Sequence, residues 1–281
     1  MALLLLFIFD SIKTIYNVTA TTEIISFHSS QKPSSRINLF DADIYTLKAL
    51  KNSWQSEEVL VEKSFSGSVE IYDSTTVKIE RIGNGPLLIE LVRPQGGRVA
   101  SLRGSNTQGQ KLTSIDEIMF IEIHNIDSLV NNNISVVIPL SGEIILGKSI
   151  EVESNNEYSL LLQEGDITMT GYTKFGKKYF VAGQEKLYLG DKLIFDDKNS
   201  IGIATVNTKP AIQVSYRAVG EQAKIIKPGP RDSESGYTFA ASTFSRFKYD
   251  SFFQGLSILA GFLLFVLKIW DTFSKVQQSK N

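Results

Sequence analysis

At 281 residues the chain has room for one or two soluble domains beside a membrane segment. Its 29 basic residues nearly balance 30 acidic ones, so no global field draws it to nucleic acid and no nucleic-acid partner is expected. The lack of any cysteine excludes disulfides, thiolate metal sites and a cysteine nucleophile, and only two histidines, His28 and His124, remain for metal or acid–base work.

No cofactor or metal is therefore expected, and a cysteine-free chain suits a bacterial envelope better than a disulfide-stapled ectodomain. Residues 2–9 read ALLLLFIF, eight apolar residues followed closely by Asp10 and Lys13. That length suits the apolar core of a secretory signal, with Val18-Thr19-Ala20 as a small-residue cleavage pattern. Against it, no Lys or Arg precedes the run, and a retained membrane anchor over residues 1–16 stands as an equal alternative. Residues 1–20 are assigned to one or the other, and both place the middle of the chain outside the cytoplasm.

Residues 21–57 read as a linker with a short helix. The text from 22 to 36 is rich in Ser and Thr and contains Pro33, a loop signal. Asp43 then supplies an N-cap, and Ile44, Leu47, Leu50 and Trp54 recur at spacings of three and four, which predicts a helix over 44–54.

Strand rhythm follows, at 59–62, 67–72, 76–82, 86–93 and 98–102, with Gly83-Asn84-Gly85 and Gln95-Gly96-Gly97 as tight hairpin turns. Val77, Ile79 and Arg81 share one face; Lys78, Glu80 and Ile82 share the other. Residues 117–124 (EIMFIEIH) form a capping-box pattern with Ser114, yet their β-branched content favours a strand. Asn131-Asn132-Asn133 divides a first β-rich half, 58–130, from a second, 134–227. Turn signals recur there about every 8–12 residues, as in sandwiches and barrels. The fold class is therefore mainly β, with a sandwich- or barrel-like soluble domain or domains. Pro228-Gly229-Pro230 opens a linker over 228–243.

The strongest single feature follows. Residues 252–267 read FFQGLSILAGFLLFVL, and a span needs roughly 20 apolar residues. Phe252, Phe253, Leu263, Leu264 and Phe265 would face lipid, Lys268 would snorkel its ammonium to the headgroups, and Trp270 would mark the interface. One C-terminal transmembrane helix with aromatic flanks is assigned to 244–273, with a short tail at 274–281. Gly255, Ser257, Ala260 and Gly261 are small residues through which such a helix could meet a partner protein or a second copy.

Several motifs resemble chemistry. Residues 142–149 match the phosphate-loop pattern G-x-x-x-x-G-K-[ST], but Ile150-Glu151-Val152-Glu153 continues as a strand where that loop needs a helix. Asp41-Ala42-Asp43 resembles a metal-gripping acidic pair and reads better as a helix cap. Ser29 with Lys32 and Ser245 with Lys248 have a Ser/Lys nucleophile spacing without a supporting helix. Asn17 and Asn133 open glycosylation triplets. Between Gly171 and Phe180, Tyr172, Lys174, Phe175, Lys177, Lys178 and Tyr179 interleave aromatic and basic side chains, which reads as a hairpin turning at Gly176 or as a candidate patch for a phosphorylated lipid, a glycan phosphate or a single-stranded nucleic acid.

No catalytic constellation emerges. The expected function is a non-catalytic, membrane-anchored envelope module that binds a partner protein, glycan or lipid, with its β domain in the periplasm of a bacterial inner membrane. The alternatives are a tethered hydrolase or transferase using acids such as Asp191, Asp196 and Asp197, and a tail-anchored sensor or adaptor facing the cytoplasm.

Overall fold

The computed structural model describes residues 14–278 apart from 30–35, 50–55, 105–111, 117, 125, 127–135, 149–159, 174–177, 196–199, 207–208, 221 and 229–235. In chain order the first strands are β1 (Thr14–Thr22), β2 (Ile24–His28), β3 (Arg36–Ala49), β4 (Ser56–Ile71), β5 (Thr76–Glu80) and β6 (Leu87–Val92). Then come β7 (Arg98–Gly104), β8 (Leu112–Asp116), β9 (Ile118–Ile123), β10 (Val136–Ser141), β11 (Ile144–Leu146) and β12 (Leu162–Tyr172). The last are β13 (Tyr179–Leu187), β14 (Lys192–Phe195), β15 (Ile201–Val206), β16 (Ile212–Gly220), β17 (Ala223–Ile226) and β18 (Tyr237–Phe239). Two helices follow, α1 (Thr243–Tyr249) and α2 (Ser251–Gln278).

The molecule is mainly β, as the sequence rhythm indicates. Its strands form two open sheets: six in the order β10-β15-β16-β1-β12-β13, and twelve in the order β18-β17-β14-β11-β2-β5-β6-β9-β3-β4-β7-β8. Neither order closes on itself, so the described strands form no closed barrel. One apolar cluster joins the sheets, with Tyr16 and Val18 of the smaller and Phe27, Ile79 and Phe195 of the larger. Tyr16 meets Phe195 edge-on at 5.2 Å, and Phe195 meets Tyr216 at 5.4 Å, the geometry aromatic quadrupoles favour. Twelve strands exceed what a twisted sheet holds flat. Accordingly β7 touches β6 and β9 across the fold as well as its ladder neighbours.

The two sequence halves do not map onto the two sheets. β11, β14, β17 and β18 from the second half join the strands of the first, and β1 lies at the centre of the smaller sheet, between β16 and β12. Residues 14–20, expected in a signal or anchor, are thus part of a central strand, with Tyr16, Val18 and Ala20 turned into the core. Residues 1–13, including the apolar run, lie outside the described residues.

The helix expected over 44–54 is instead the second part of β3; Leu50 and Trp54 lie outside the described residues. Long-range pairing overrides the helical spacing, since Thr46, Leu47 and Lys48 ladder to Val59, Glu58 and Glu57 of β4, and Thr46 also to Met119 of β9. Buried positions run Ile37, Leu39, then Ala42 and Ile44, because an extra residue at Phe40–Asp41 shifts the phase, and Asp41 takes a φ of 50°. Asp43, expected as a cap, accepts at 2.9 Å from the Ser64 amide on the neighbouring strand. The Ser/Thr-rich stretch expected as a loop contains β2, which pairs with β5 and β11. Gly83-Asn84-Gly85 does turn the β5–β6 hairpin. Residues 95–97 instead connect β6 to β7, which are not ladder neighbours. The strand preferred for 117–124 is β9, with Met119, Ile121 and Ile123 buried in strict alternation.

Candidate functional site

The approach to the apolar helix is built into the fold. Within the expected linker 228–243, Tyr237–Phe239 forms β18 and pairs with β17. Phe239 packs on the core, and its carbonyl accepts from the Tyr16 hydroxyl at 3.1 Å. Tyr237 donates to a Glu185 carboxylate oxygen at 2.7 Å. Burial, then this carboxylate, then Asp191 farther off hold the Tyr237 phenol well above the ordinary tyrosine range. From Phe239, α1 starts at a Ser242 cap whose hydroxyl accepts from the Ser245 amide at 3.1 Å. The Ser245 hydroxyl in turn donates to the Ser242 carbonyl at 2.7 Å.

Asp250 joins α1 to α2 and is fully buried. Its Oδ1 accepts from the Phe252 amide at 3.0 Å and its carbonyl from the Gln254 amide at 3.0 Å, which caps the long helix. The polar members of the apolar run are satisfied locally. Gln254 Nε2 donates to the Lys248 carbonyl at 2.9 Å, and Ser257 donates to the Phe253 carbonyl at 2.8 Å. Residues Ser251–Trp270 are long and apolar enough to cross a membrane, and none of that window is buried against the protein. Phe252, Leu263, Leu264, Phe265, Lys268 and Trp270 are all exposed, and Phe253 is half-buried.

The aromatic–basic patch is the β12–β13 hairpin end. Tyr172 and Tyr179 oppose one another in register with rings 5.0 Å apart, and the Lys178 amide donates to Thr173 Oγ1 at 2.9 Å. Lys174, Phe175 and Lys177 lie outside the described residues. The sequence did not suggest what this hairpin touches: Phe180 stacks on Tyr249 of α1, with centroids 4.8 Å apart and planes at 21°. The patch therefore flanks the start of the apolar helix. No sequence signal links residues 180 and 249; only the folded chain does.

A second feature is a groove of about 610 Å³ on the solvent face of the smaller sheet. Register aligns Lys186, Asp166, Thr19, Ser215 and Ile203 across five strands, with Glu164, Thr21, Gln213 and Thr205 as the next row. Tyr188 lines one end. Short polar side chains on β1 and β16 make the floor low, which is why a groove forms there.

The remaining sequence candidates that the structure describes sit in hydrogen bonds, ion pairs or strand ladders. Asp191 is buried, pairs with Lys227 at 2.7 Å and accepts from the Tyr188 amide at 2.8 Å. Asp196 and Asp197 lie outside the described residues. In the 142–149 match, Ile144–Leu146 is β11, laddered to β2 and β14, and the Gly142, Gly147 and Lys148 amides bond to the carbonyls of Ser200, Ile24 and Leu160. A phosphate cradle needs free amides, and these are committed. His28 meets Thr76 at 3.0 Å, while His124 lies 3.7 Å from Asp43 and 3.5 Å from Glu122. Among the described residues, no three His, Asp or Glu groups cluster as a metal site. Asn17 lies in the middle of β1, where its Oδ1 accepts from Arg217 at 2.9 Å.

No family model matches the chain, and no curated protein resembles it significantly.

Proposed function

We propose that this protein is a membrane-tethered, non-catalytic β module that binds a partner or helps assemble a complex at a bacterial envelope. One observation carries the reading: a helix of spanning length leaves its apolar surface uncovered while its capped start is docked on the β domain. An apolar surface of that size is not left in water by a soluble fold. The recognition face is the polar groove along Thr19, Asp166, Lys186 and Ser215, whose mixture of donors and acceptors suits a glycan or a polar protein segment.

The β domain faces the periplasm in this reading, with Lys268 and Lys275 on the cytoplasmic side. A retained amino-terminal anchor is favoured over cleavage after Ala20. Cleavage there would remove most of β1 from between β12 and β16. β1 also begins, at Thr14, at the same sheet end as Tyr172 and Phe180, so the chain enters the domain near where α2 leaves it.

The test is extraction of membranes from expressing cells with alkaline carbonate. The full chain should stay with the lipid, and Leu263→Arg with Leu264→Arg should shift it toward the soluble fraction, since each charge at mid-span costs about 2.5–3.5 kcal/mol on insertion scales. Release of the unmodified chain by carbonate would defeat the tether. Because the chain has no cysteine, Phe40→Cys can report sidedness by labelling with an impermeant maleimide in intact spheroplasts. Absence of labelling until lysis would put the domain in the cytoplasm.

A further inference from the structure

We infer that the β12–β13 hairpin end is a second membrane contact, resting on the headgroups of anionic lipids beside the start of α2. The inference rests on the membrane-tethered reading and adds a surface, a lipid class and a set of residues to it.

Position comes first. Phe180 is locked by its stack to Tyr249, which lies two residues ahead of Ser251. If α2 enters the bilayer at Ser251, Tyr249 is at the headgroup layer, and the strand end bearing Phe180 is held there with it. Partner residues Gly171 and Tyr172 follow through the ladder.

Chemistry comes second. Tyr179 is 66% exposed and Val181 62% exposed, alternate residues on one face of β13, which is itself a sheet edge. An uncovered aromatic and an uncovered aliphatic on an edge strand are a liability in water. At a headgroup boundary the same residues act as anchors, because a tyrosine ring buries its apolar body and keeps its hydroxyl wet. Phe244 and Tyr249 add two further exposed rings on α1.

Charge comes third. Between Asp166 and Glu185 the sequence has Lys174, Lys177 and Lys178 and no acidic residue. Between Gly236 and Tyr249 it has Arg246 and Lys248 and again none. Of these, Lys178 beside Tyr179 and Lys248 beside Tyr249 are exposed at the described end, in a chain whose formal net charge is −1. The first acid, Asp250, is buried and occupied in capping α2. A local excess of that kind matches an anionic surface and decays within a Debye length of about 8 Å, so it acts only on a membrane that the tether has already brought close.

The experiment uses the full chain reconstituted in vesicles, with one environment-sensitive nitrobenzoxadiazole label per variant on the cysteine-free background. Labels go at Tyr179→Cys, at Leu263→Cys in the span, and at Phe40→Cys on the larger sheet. In vesicles with about a third phosphatidylglycerol, the residue-179 label should emit to the blue and be quenched by headgroup spin-labelled lipid at least twofold more than the residue-40 label. In pure phosphatidylcholine, or with Lys178→Glu and Lys248→Glu present, at least half of that quenching should be lost. Both lysines are exposed, and unchanged far-ultraviolet circular dichroism checks that the fold survives.

A residue-263 label deep in the acyl chains with a residue-179 label in water overturns the hairpin contact and leaves the tether standing. Both labels in water overturn the tether itself. Equal quenching in the two lipids overturns the anionic preference. A blue shift that grows with protein-to-lipid ratio and shows no headgroup quenching identifies a self-association face instead, and overturns the proposal.

Discussion

Arg81 offers the sharpest test of how the β domain is held together. It follows β5 on the same face as Val77 and Ile79, and like them it is buried, at 1% exposure. Its guanidinium donates from Nε to the Gly85 carbonyl at 3.3 Å, and from one terminal nitrogen to Lys209 at 2.8 Å and Ala211 at 3.1 Å. Those acceptors tie the β5–β6 turn to the segment before β16, where the Ala211 amide also bonds to Gly83. In Arg81→Met the stem is replaced by a side chain of similar length, and three carbonyls lose a charged donor. Hydrogen bonds to charged groups contribute about 1.5–3 kcal/mol each, but relaxation and water entry cap the total. With three such bonds and that cap, the expected loss is about 3–5 kcal/mol, the upper end for a single substitution. For a protein of this size each kcal/mol moves the melting temperature by roughly 2–4 °C, so a fall of about 6–20 °C is expected. Guanidinium titration of the detergent-solubilised chain, followed by far-ultraviolet circular dichroism, measures it. Arg81→Lys should lose about half as much, since an ammonium cannot span the same carbonyls. A change under about 1 kcal/mol for Arg81→Met would refute the claim that this side chain clasps the two segments.

Three further outcomes follow from single contacts. Glu23 accepts from the Leu160 and Leu161 amides at 3.0 and 3.2 Å and from Gln163 at 3.3 Å, holding Leu160 at a φ of 70°; Glu23→Ala should cost about 2–3 kcal/mol in the same titration. Asp250→Ala should remove the cap of α2 at a cost of about 0.5–2 kcal/mol, read as faster amide exchange at residues 251–254, while Asp250→Asn should recover most of the protection. The Tyr216 hydroxyl is buried without a hydrogen-bond partner among the described residues, and burial raises its pKa well above the usual 10. Its contribution is therefore intact below about pH 10 and is lost as pH rises beyond that, because the unfolded chain releases the proton first. Tyr216→Phe should be neutral or stabilising by about 1 kcal/mol at pH 7 and should flatten the alkaline loss; destabilisation at pH 7 would show that the hydroxyl has a partner.

What could be read from the text was what depends on neighbours in sequence. The period-two alternation of Val77, Ile79 and Arg81 gave the face that β5 buries, and the turn at Gly83-Asn84-Gly85 gave its hairpin. The length and apolarity of residues 252–267 gave a helix long and apolar enough to cross a membrane. The phosphate-loop match was set aside on the strand text after Ser149, which lies outside the described residues, while its interior Ile144–Leu146 is β11. From Ile44 onward the apolar spacing imitates a helix, but pairing with β4 and β9 makes the described part, to Ala49, a strand.

Tertiary structure alone decided the rest. Which sheet a strand joins depends on ladders between residues far apart, such as Asn17 with Arg217, and alternation is blind to that choice. It decided that residues 14–20 are a central strand, that the Pro-Gly-Pro linker contains β18, and that a buried arginine can be satisfied by carbonyls. It also brought Phe180 onto Tyr249. Local sequence fixes periodicity and propensity, whereas pairing and side-chain packing are settled by long-range burial. The aromatic–lysine hairpin was therefore visible as composition, but its place beside the start of the apolar helix came only from the fold.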